Sequence, residues 1–257
     1  MAPVEDQAPA DGPVRIDTTD VYYRDLNSQL RELVAKGVQH VELLNVCGQR
    51  YIGTDLRSEM RIDVYGTPGN DLGAFMDGPR VYVHGNAQDG CGNTMNSGEI
   101  VVHGHAGDIT GFAMRGGKVF IRDNVGYRVG IHMKEYKEKK PSLVIGGVAQ
   151  DFLGEYMAGG VLIVLGLGLD QGQFHKSNFI GTGMHGGVIY LRGKVQDYQL
   201  GKEVGVLETN EQDRQVLSQL VGEFAGHFGM DKGEILAQPF LKLFPLHLRP
   251  YGRLYAY

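Results

Sequence analysis

The sequence predicts an all-β core, a parallel β-helix (solenoid) with flanking N- and C-terminal helices. Three observations predict it: a Gly-x-x-Met signature that returns at a fixed interval, an alternating apolar pair at a fixed distance after each methionine, and a glycine closing most of those pairs. Met76, Met95, Met114 and Met133 follow one another at 19-residue intervals, each three residues after Gly73, Gly92, Gly111 and Gly130. Met157 and Met184 repeat the signature after Gly154 and Gly181, delayed by the charged run Glu135 to Pro141 and by a second insertion around Asp170 to Asn178. A unit of this length is too short for a βαβ crossover or a propeller blade and matches one coil of a β-solenoid.

The elements follow in order. Residues 1–19 hold Pro, Ala, Asp and Thr with little to bury, and a loose arm is expected there. Residues 20–46 form the N-terminal cap. Val21, Leu26, Leu30, Leu33 and Val34 have helical spacing, Gly37 stands where a left-handed residue would end the helix, and a strand follows from Val38 to Val46. The β-helix is expected over residues 47–201. Its strands carry Val81/Val83, Ile100/Val102, Val119/Ile121, Leu143/Ile145, Leu162/Val164 and Ile189/Leu191, with Ile62/Val64 supplying an earlier, degenerate turn. In a solenoid like residues stack on like, so these positions and the methionines should form internal ladders. Gly66, Gly85, Gly104, Gly147, Gly166 and Gly193 close strands, and Asp89, Asp108 and Asp151 follow as turn residues expected to bond their own backbone. Residues 202–257 form the C-terminal part: Thr209 opens a helix through Val216, Leu217, Leu220, Val221 and Phe224, a second short helix runs from Asp231 to Ala237, and the tail from Phe240 lies against the solenoid or a partner.

Composition narrows the function classes. A net charge of −5 from 25 basic and 30 acidic residues offers no positive field for nucleic acid or an anionic membrane, so neither partner is expected. No apolar run approaches the roughly 20 residues of a bilayer span, and the acidic, Pro/Ala-rich start does not resemble a signal peptide, so a cytoplasmic location is expected. Cys47 and Cys91 lack CxxC spacing and are expected to be two buried, reduced thiols.

Several motifs invite a chemical reading and have a plainer one. Val161 to Gly168 looks like the opening of a dinucleotide site, yet it sits in register with the other coils and no helix follows to hold a pyrophosphate. His84 and His103 occupy equivalent positions in adjacent coils, with His105, His132 and His185 elsewhere, but alternation points the first two outward, where solvation suffices. The repeated aspartates share one environment, whereas acid–base catalysis needs two. No catalytic, cofactor-binding or metal-ligating residue is therefore expected on this chain. The outward positions Tyr82, Val101, Phe120, Ile163, Leu165 and Tyr190 are apolar, a face that must be covered by the C-terminal helix and, over the rest of its length, by a docked subunit. Tyr136, Lys137 and Lys139 in the charged insertion, with Arg249, Tyr251 and Arg253 in the tail, are the candidate partner contacts.

The units Gly111 to Gly117, Gly154 to Gly160 and Gly181 to Gly187, of the form Gly-x-x-Met-x-Gly-Gly, resemble the GXGXG domain at the C-terminus of the glutamate synthase large subunit. Gly66-Thr67-Pro68-Gly69-Asn70-Asp71 and Arg249-Pro250-Tyr251-Gly252 resemble segments of its stand-alone forms. One of the subunits of formylmethanofuran dehydrogenase and one of those of N-methylglutamate synthase are similar. The resemblance, over roughly Val38 to Gly201, implies a right-handed parallel β-helix with no catalytic residue. It implies a structural subunit of a glutamate synthase-type oxidoreductase, with a glutamine amidotransferase subunit and an FMN/Fe-S glutamate synthase subunit as partners. FMN and the iron-sulfur cluster would sit on those partners. An independent solenoid enzyme and an oligomerising module are the readings of other classes.

Overall fold

The computed structural model describes residues 12–170 and 172–247. Within them, eleven strands form one continuous sheet wound as a solenoid of stacked coils. Strand β1 spans Val14–Asp17, β2 His40–Cys47, β3 Arg61–Thr67, β4 Asp77–Val83, β5 Ser97–Val102 and β6 Lys118–Ile121. β7 follows over Ser142–Ile145, β8 over Ala158–Val164, β9 over Gly186–Arg192, β10 over Val204–Glu208 and β11 over Phe240–Pro245. β1 to β9 pair in parallel, each with the next coil, as identical units must when a spiral brings the chain round in one direction.

The register is the one that the apolar pairs predict. Val41, Ile62, Val81, Ile100, Val119, Leu143, Leu162 and Ile189 lie directly over one another through consecutive strand pairs, and all are fully buried. The six repeat methionines are buried beside them, and Leu56, three residues after Gly53, takes their place in the degenerate coil. Methionine's unbranched, polarizable side chain suits such a position, because successive coils differ slightly in the gap it must fill.

The ends differ from expectation. Part of the expected loose arm, Val14–Asp17, is strand β1, because Val14 and Ile16 alternate and extend the ladders of Val41 and Leu43. Helix α1, Tyr23–Ala35, lays Leu26 and Leu30 over the open end of the core, and Gly37, with φ 75°, follows its C-terminus. At the other end β11 turns antiparallel to β9 and β10 pairs on β11, two strands that the fading repeat left unpredicted. Reversing direction ends the parallel stack, and Leu243 closes the core.

Helix α2, Glu211–Phe228, opens one residue later than expected: Asn210, not Thr209, accepts the Asp213 backbone N–H, and Asp213 returns the bond to the Asn210 N–H. α2 and the short α3, Lys232–Leu236, cover the apolar outer face of the sheet. Val101, Phe120, Val144, Ile163, Leu165 and Tyr190 are buried against Leu217, Leu220, Val221, Phe224 and Ile235, and Tyr82 packs at the margin. The face read as needing a docked subunit is thus buried by the chain's own helices.

Candidate docking surface

The outer corner of each coil lies just before its methionine. Three left-handed residues alternate there, five, three and one positions ahead of the Met, as in Phe152, Gly154 and Tyr156. Gly154 donates its N–H back to Val129 of the preceding coil, whereas Tyr156 donates forward to Thr182 of the next. The middle residue is glycine in every coil, with positive φ throughout, and in most coils a Cβ there would also strike the core; at Gly154 it would lie 2.5 Å from Ile189 Cδ1.

The outer two left-handed positions carry real side chains, among them Tyr51, Phe75, Ile109, Arg128, Phe152, His132, Tyr156 and Phe179. Each holds a backbone that glycine adopts freely, at a cost of order 1–3 kcal/mol for other residues. Their rings form a strip over the later coils. Phe112 meets His132 edge-on at 6.0 Å, His132 stacks on Tyr156 at 5.4 Å, and Phe152 stacks on Phe179 at 4.8 Å. The Arg128 guanidinium lies 4.4 Å from the Phe152 ring centre and pairs with the buried Glu155. Gly183 leaves the space into which Tyr156 leans, since a Cβ would sit 2.5 Å from that ring. Tyr156 is 46% exposed and Phe179 52%. Sequence reasoning passed over this strip, although Phe75, His132 and Tyr156 all sit one residue ahead of a repeat methionine.

Among the sequence-predicted contacts, Tyr136 is exposed and bridges antiparallel to Lys139 across a tight turn. Lys137 Nζ lies 5.1 Å from the Tyr136 ring, and Lys139 Nζ reaches back to Asp77 at 3.7 Å. Arg249, Tyr251 and Arg253 lie outside the described residues.

The histidines are more engaged than solvation requires. Asp63, 2% exposed, receives Arg61 on both carboxylate oxygens at 2.6 and 3.0 Å, and His40 and His84 each approach one oxygen at 2.8 Å. Burial alone would raise the Asp63 pKa, but the hydrogen bonds from Arg61, His84 and His40 outweigh it and hold the carboxyl below the ordinary range. His84 stacks between Tyr65 at 4.5 Å and His103 at 5.5 Å, and His103 meets Phe228 edge-on at 5.1 Å. Among the described residues, no three His, Cys, Asp or Glu side chains are grouped to hold a metal ion.

The repeated aspartates bond between coils rather than within their own turns. Asp89 accepts the Asp108 N–H at 2.9 Å, Asp108 that of Tyr127 at 2.9 Å, and Asp151 that of Asn178 at 2.8 Å. Val161 to Gly168 belongs to β8 and the turn after it, with no helix following. Cys91 is buried, which pushes its thiol up to about 12; Cys47, expected buried, is exposed because it ends β2 on the outward side. No helix among the described residues is long and apolar enough to cross a membrane.

Comparison with known proteins places this geometry. The chain is 47% identical over 251 residues to an uncharacterized protein of Methanocaldococcus jannaschii, an alignment spanning 94% of this chain and 96% of that protein. The family model described as the GXGXG motif matches residues 35–248, a range that takes in the sheet from β2 to β11. With its repeat, its ladders and its glycine corner accounted for, the chain belongs to the GXGXG motif family, the family of the glutamate synthase C-terminal domain.

Proposed function

We propose that this chain is a non-catalytic, cytoplasmic structural subunit of a glutamate synthase-type complex. In that complex a glutamine amidotransferase subunit releases ammonia, and an FMN/Fe-S synthase subunit uses it to convert 2-oxoglutarate to glutamate. The observation that carries this reading is the match of the GXGXG family over residues 35–248. The use to which the repeated groups are put supports it. Asp89, Asp108 and Asp151 are spent on backbone N–H groups of neighbouring coils, and the methionines on the core. Two cysteines are too few for an iron-sulfur cluster, and Cys91, held as the neutral thiol, is the reverse of an activated nucleophile. What the chain contributes in this reading is a rigid body with docking area, including Tyr136, Lys137 and Lys139 on the insertion and Arg249, Tyr251 and Arg253 on the tail.

The test is purification of the tagged chain from its own cells, identification of stoichiometric subunits by mass spectrometry, and assay of glutamine-dependent glutamate formation by the assembly. Amidotransferase and flavin subunits at fixed ratio are expected. A tungsten or molybdenum subunit instead would assign the chain to a formylmethanofuran dehydrogenase-type complex. Turnover by the isolated chain would overturn the non-catalytic reading.

A further inference from the structure

We propose that β10, at the far end of the solenoid, is a dimerisation edge on which β10 of a second copy of this chain pairs antiparallel. Such a dimer goes beyond the role in a glutamate synthase-type complex and is independent of which other subunits the chain meets.

β10 is the last strand of the sheet and, among the described residues, is paired on one side only, with β11. In an antiparallel pair alternate residues turn their backbone groups to the partner. Glu203 C=O accepts the Leu246 N–H at 2.8 Å, and Pro245, opposite Val204, has no N–H to give, so Glu203, Gly205 and Leu207 are the residues that bond to β11. Val206 and Glu208 therefore aim both N–H and C=O at the open edge. Val204 aims its C=O there too, its N–H being spent on the Gly201 carbonyl at 3.1 Å. Proteins blunt such edges with charges, proline or bulges. β1, the terminal strand at the other end, carries Arg15 and Asp17. β10 has no such guard between Val204 and Leu207: its register against β11 runs without a bulge, and Val206 and Leu207 are 44% and 54% exposed.

The strand is complementary to itself under a two-fold axis. Antiparallel pairing centred on Val206 sets Val206 against Val206 of the copy, with two mutual N–H to C=O bonds, and Val204 against Glu208, so the outward backbone groups of one copy meet those of the other. Charge agrees with that direction. Lys202, two residues before Val204, and Glu208 are both exposed, and neither makes an ion pair among the described residues. The neighbouring charges are engaged: Glu203 accepts the Gly183 N–H, Lys242 pairs with Asp213, and Arg214 lies 3.7 Å from Glu211. An antiparallel copy brings the Glu208 end of each strand to the Lys202 end of the other, twice over, whereas a parallel copy would set Glu208 beside Glu208. The two-fold also closes the assembly at two chains, which pairing β10 with β1 of a next copy would not.

Sedimentation of the full chain over a range of concentrations reads the dimer directly. A five-residue edge makes a small interface, so a reversible dimer that fills as concentration rises is expected. Hydrogen exchange at the Val206 and Glu208 amides, fast in the dilute chain, should slow as the dimer fills, while exchange in β1 stays unchanged. Val206→Pro removes an N–H that β11 does not use, so it should abolish the dimer and leave circular dichroism and melting temperature near those of the wild type. Lys202→Glu brings like charges together and should weaken the dimer about tenfold at low salt. Adding Glu208→Lys restores opposite charges and should restore the dimer, a test that stands whether or not the proline variant folds. Tyr22→Ser, at the opposite end of the solenoid, is the exposed control expected to dimerise normally. A wild-type chain that stays monomeric, a folded Val206→Pro variant that still dimerises, or growth into open-ended polymers would each overturn the two-fold edge. Any of these leaves the subunit role proposed above standing, and failure to co-purify amidotransferase and flavin subunits would end that role and leave the dimer.

Discussion

Asp63 concentrates more hydrogen bonds on one carboxylate than any single coil requires, and its burial gives those bonds weight. Because its folded pKa is depressed below the ordinary 3.8, it contributes stability that is fully present above about pH 4 and is lost as pH falls through the folded value. Asp63→Asn keeps the shape and removes the charge from three cationic or polar neighbours. It should cost roughly 3 kcal/mol at pH 7, with the deficit shrinking below pH 4. Urea unfolding of the two proteins at pH 7 and pH 3 measures this; an equal deficit at both would refute it. The repeat aspartates are a gentler case. Asp89 and Asp108 are exposed and each bonds one N–H of the next coil, while the half-buried Asp151 accepts the backbone N–H and the side-chain amide of Asn178, so their value lies in register more than in energy.

At the scale of elements, α2 decides whether the outer face of the sheet is core or surface. Phe224 is fully buried between that face and the helix, near Gly146, where a Cβ would lie 2.7 Å from its ring. Phe224→Ala should lower stability by about 3–5 kcal/mol, whereas Asn210→Ala, which removes only the cap, should cost about 1 kcal/mol. Thermal melts of both, with binding of a hydrophobic dye to report sheet exposure, separate cavity from cap. The far end of α2 lands on imidazoles: Phe228 meets His103, and His227 lies 3.4 Å from Glu99. Burial lowers the His103 pKa below its ordinary 6.5, helped by the charges of His84, Arg122 and His227 and opposed by Asp63. The folded chain therefore holds His103 neutral while the unfolded chain takes up a proton, so stability falls as pH drops below 6.5. His103→Gln should lessen the loss between pH 7 and pH 5, seen as slower amide exchange in the last turn of α2 at the lower pH.

For the whole molecule, the solenoid makes stability a matter of neighbours. An interior coil is paired on both sides, but β1 and β10 are each paired on one side only. Amide exchange should therefore be slowest in β5 to β8 and fastest in β1 and β10, in a gradient along the axis that peptide-level mass spectrometry reads directly. A flat profile with one opening free energy would show instead that α1, α2 and β11 tie the coils into a single cooperative unit.

The sequence by itself determined the coil. Six methionines in phase, and apolar pairs at a constant offset, leave one way to bury like residues on like, and the strand register follows from them. It also determined where α1 and α2 lie, since helical spacing and capping residues are local signals. Tertiary structure alone decided what has no period. β10 and β11 are strands because β9 offers an edge, not because Val204–Glu208 or Phe240–Pro245 repeat anything. Whether the apolar outer positions are bare or covered depends on where α2 docks, a contact between residues more than a hundred positions apart, such as Lys118 with Glu223. The corner strip was hidden for a related reason: its members sit at two offsets from the methionine and in different coils, and only the winding of the chain brings Phe152 onto Phe179 and His132 onto Tyr156.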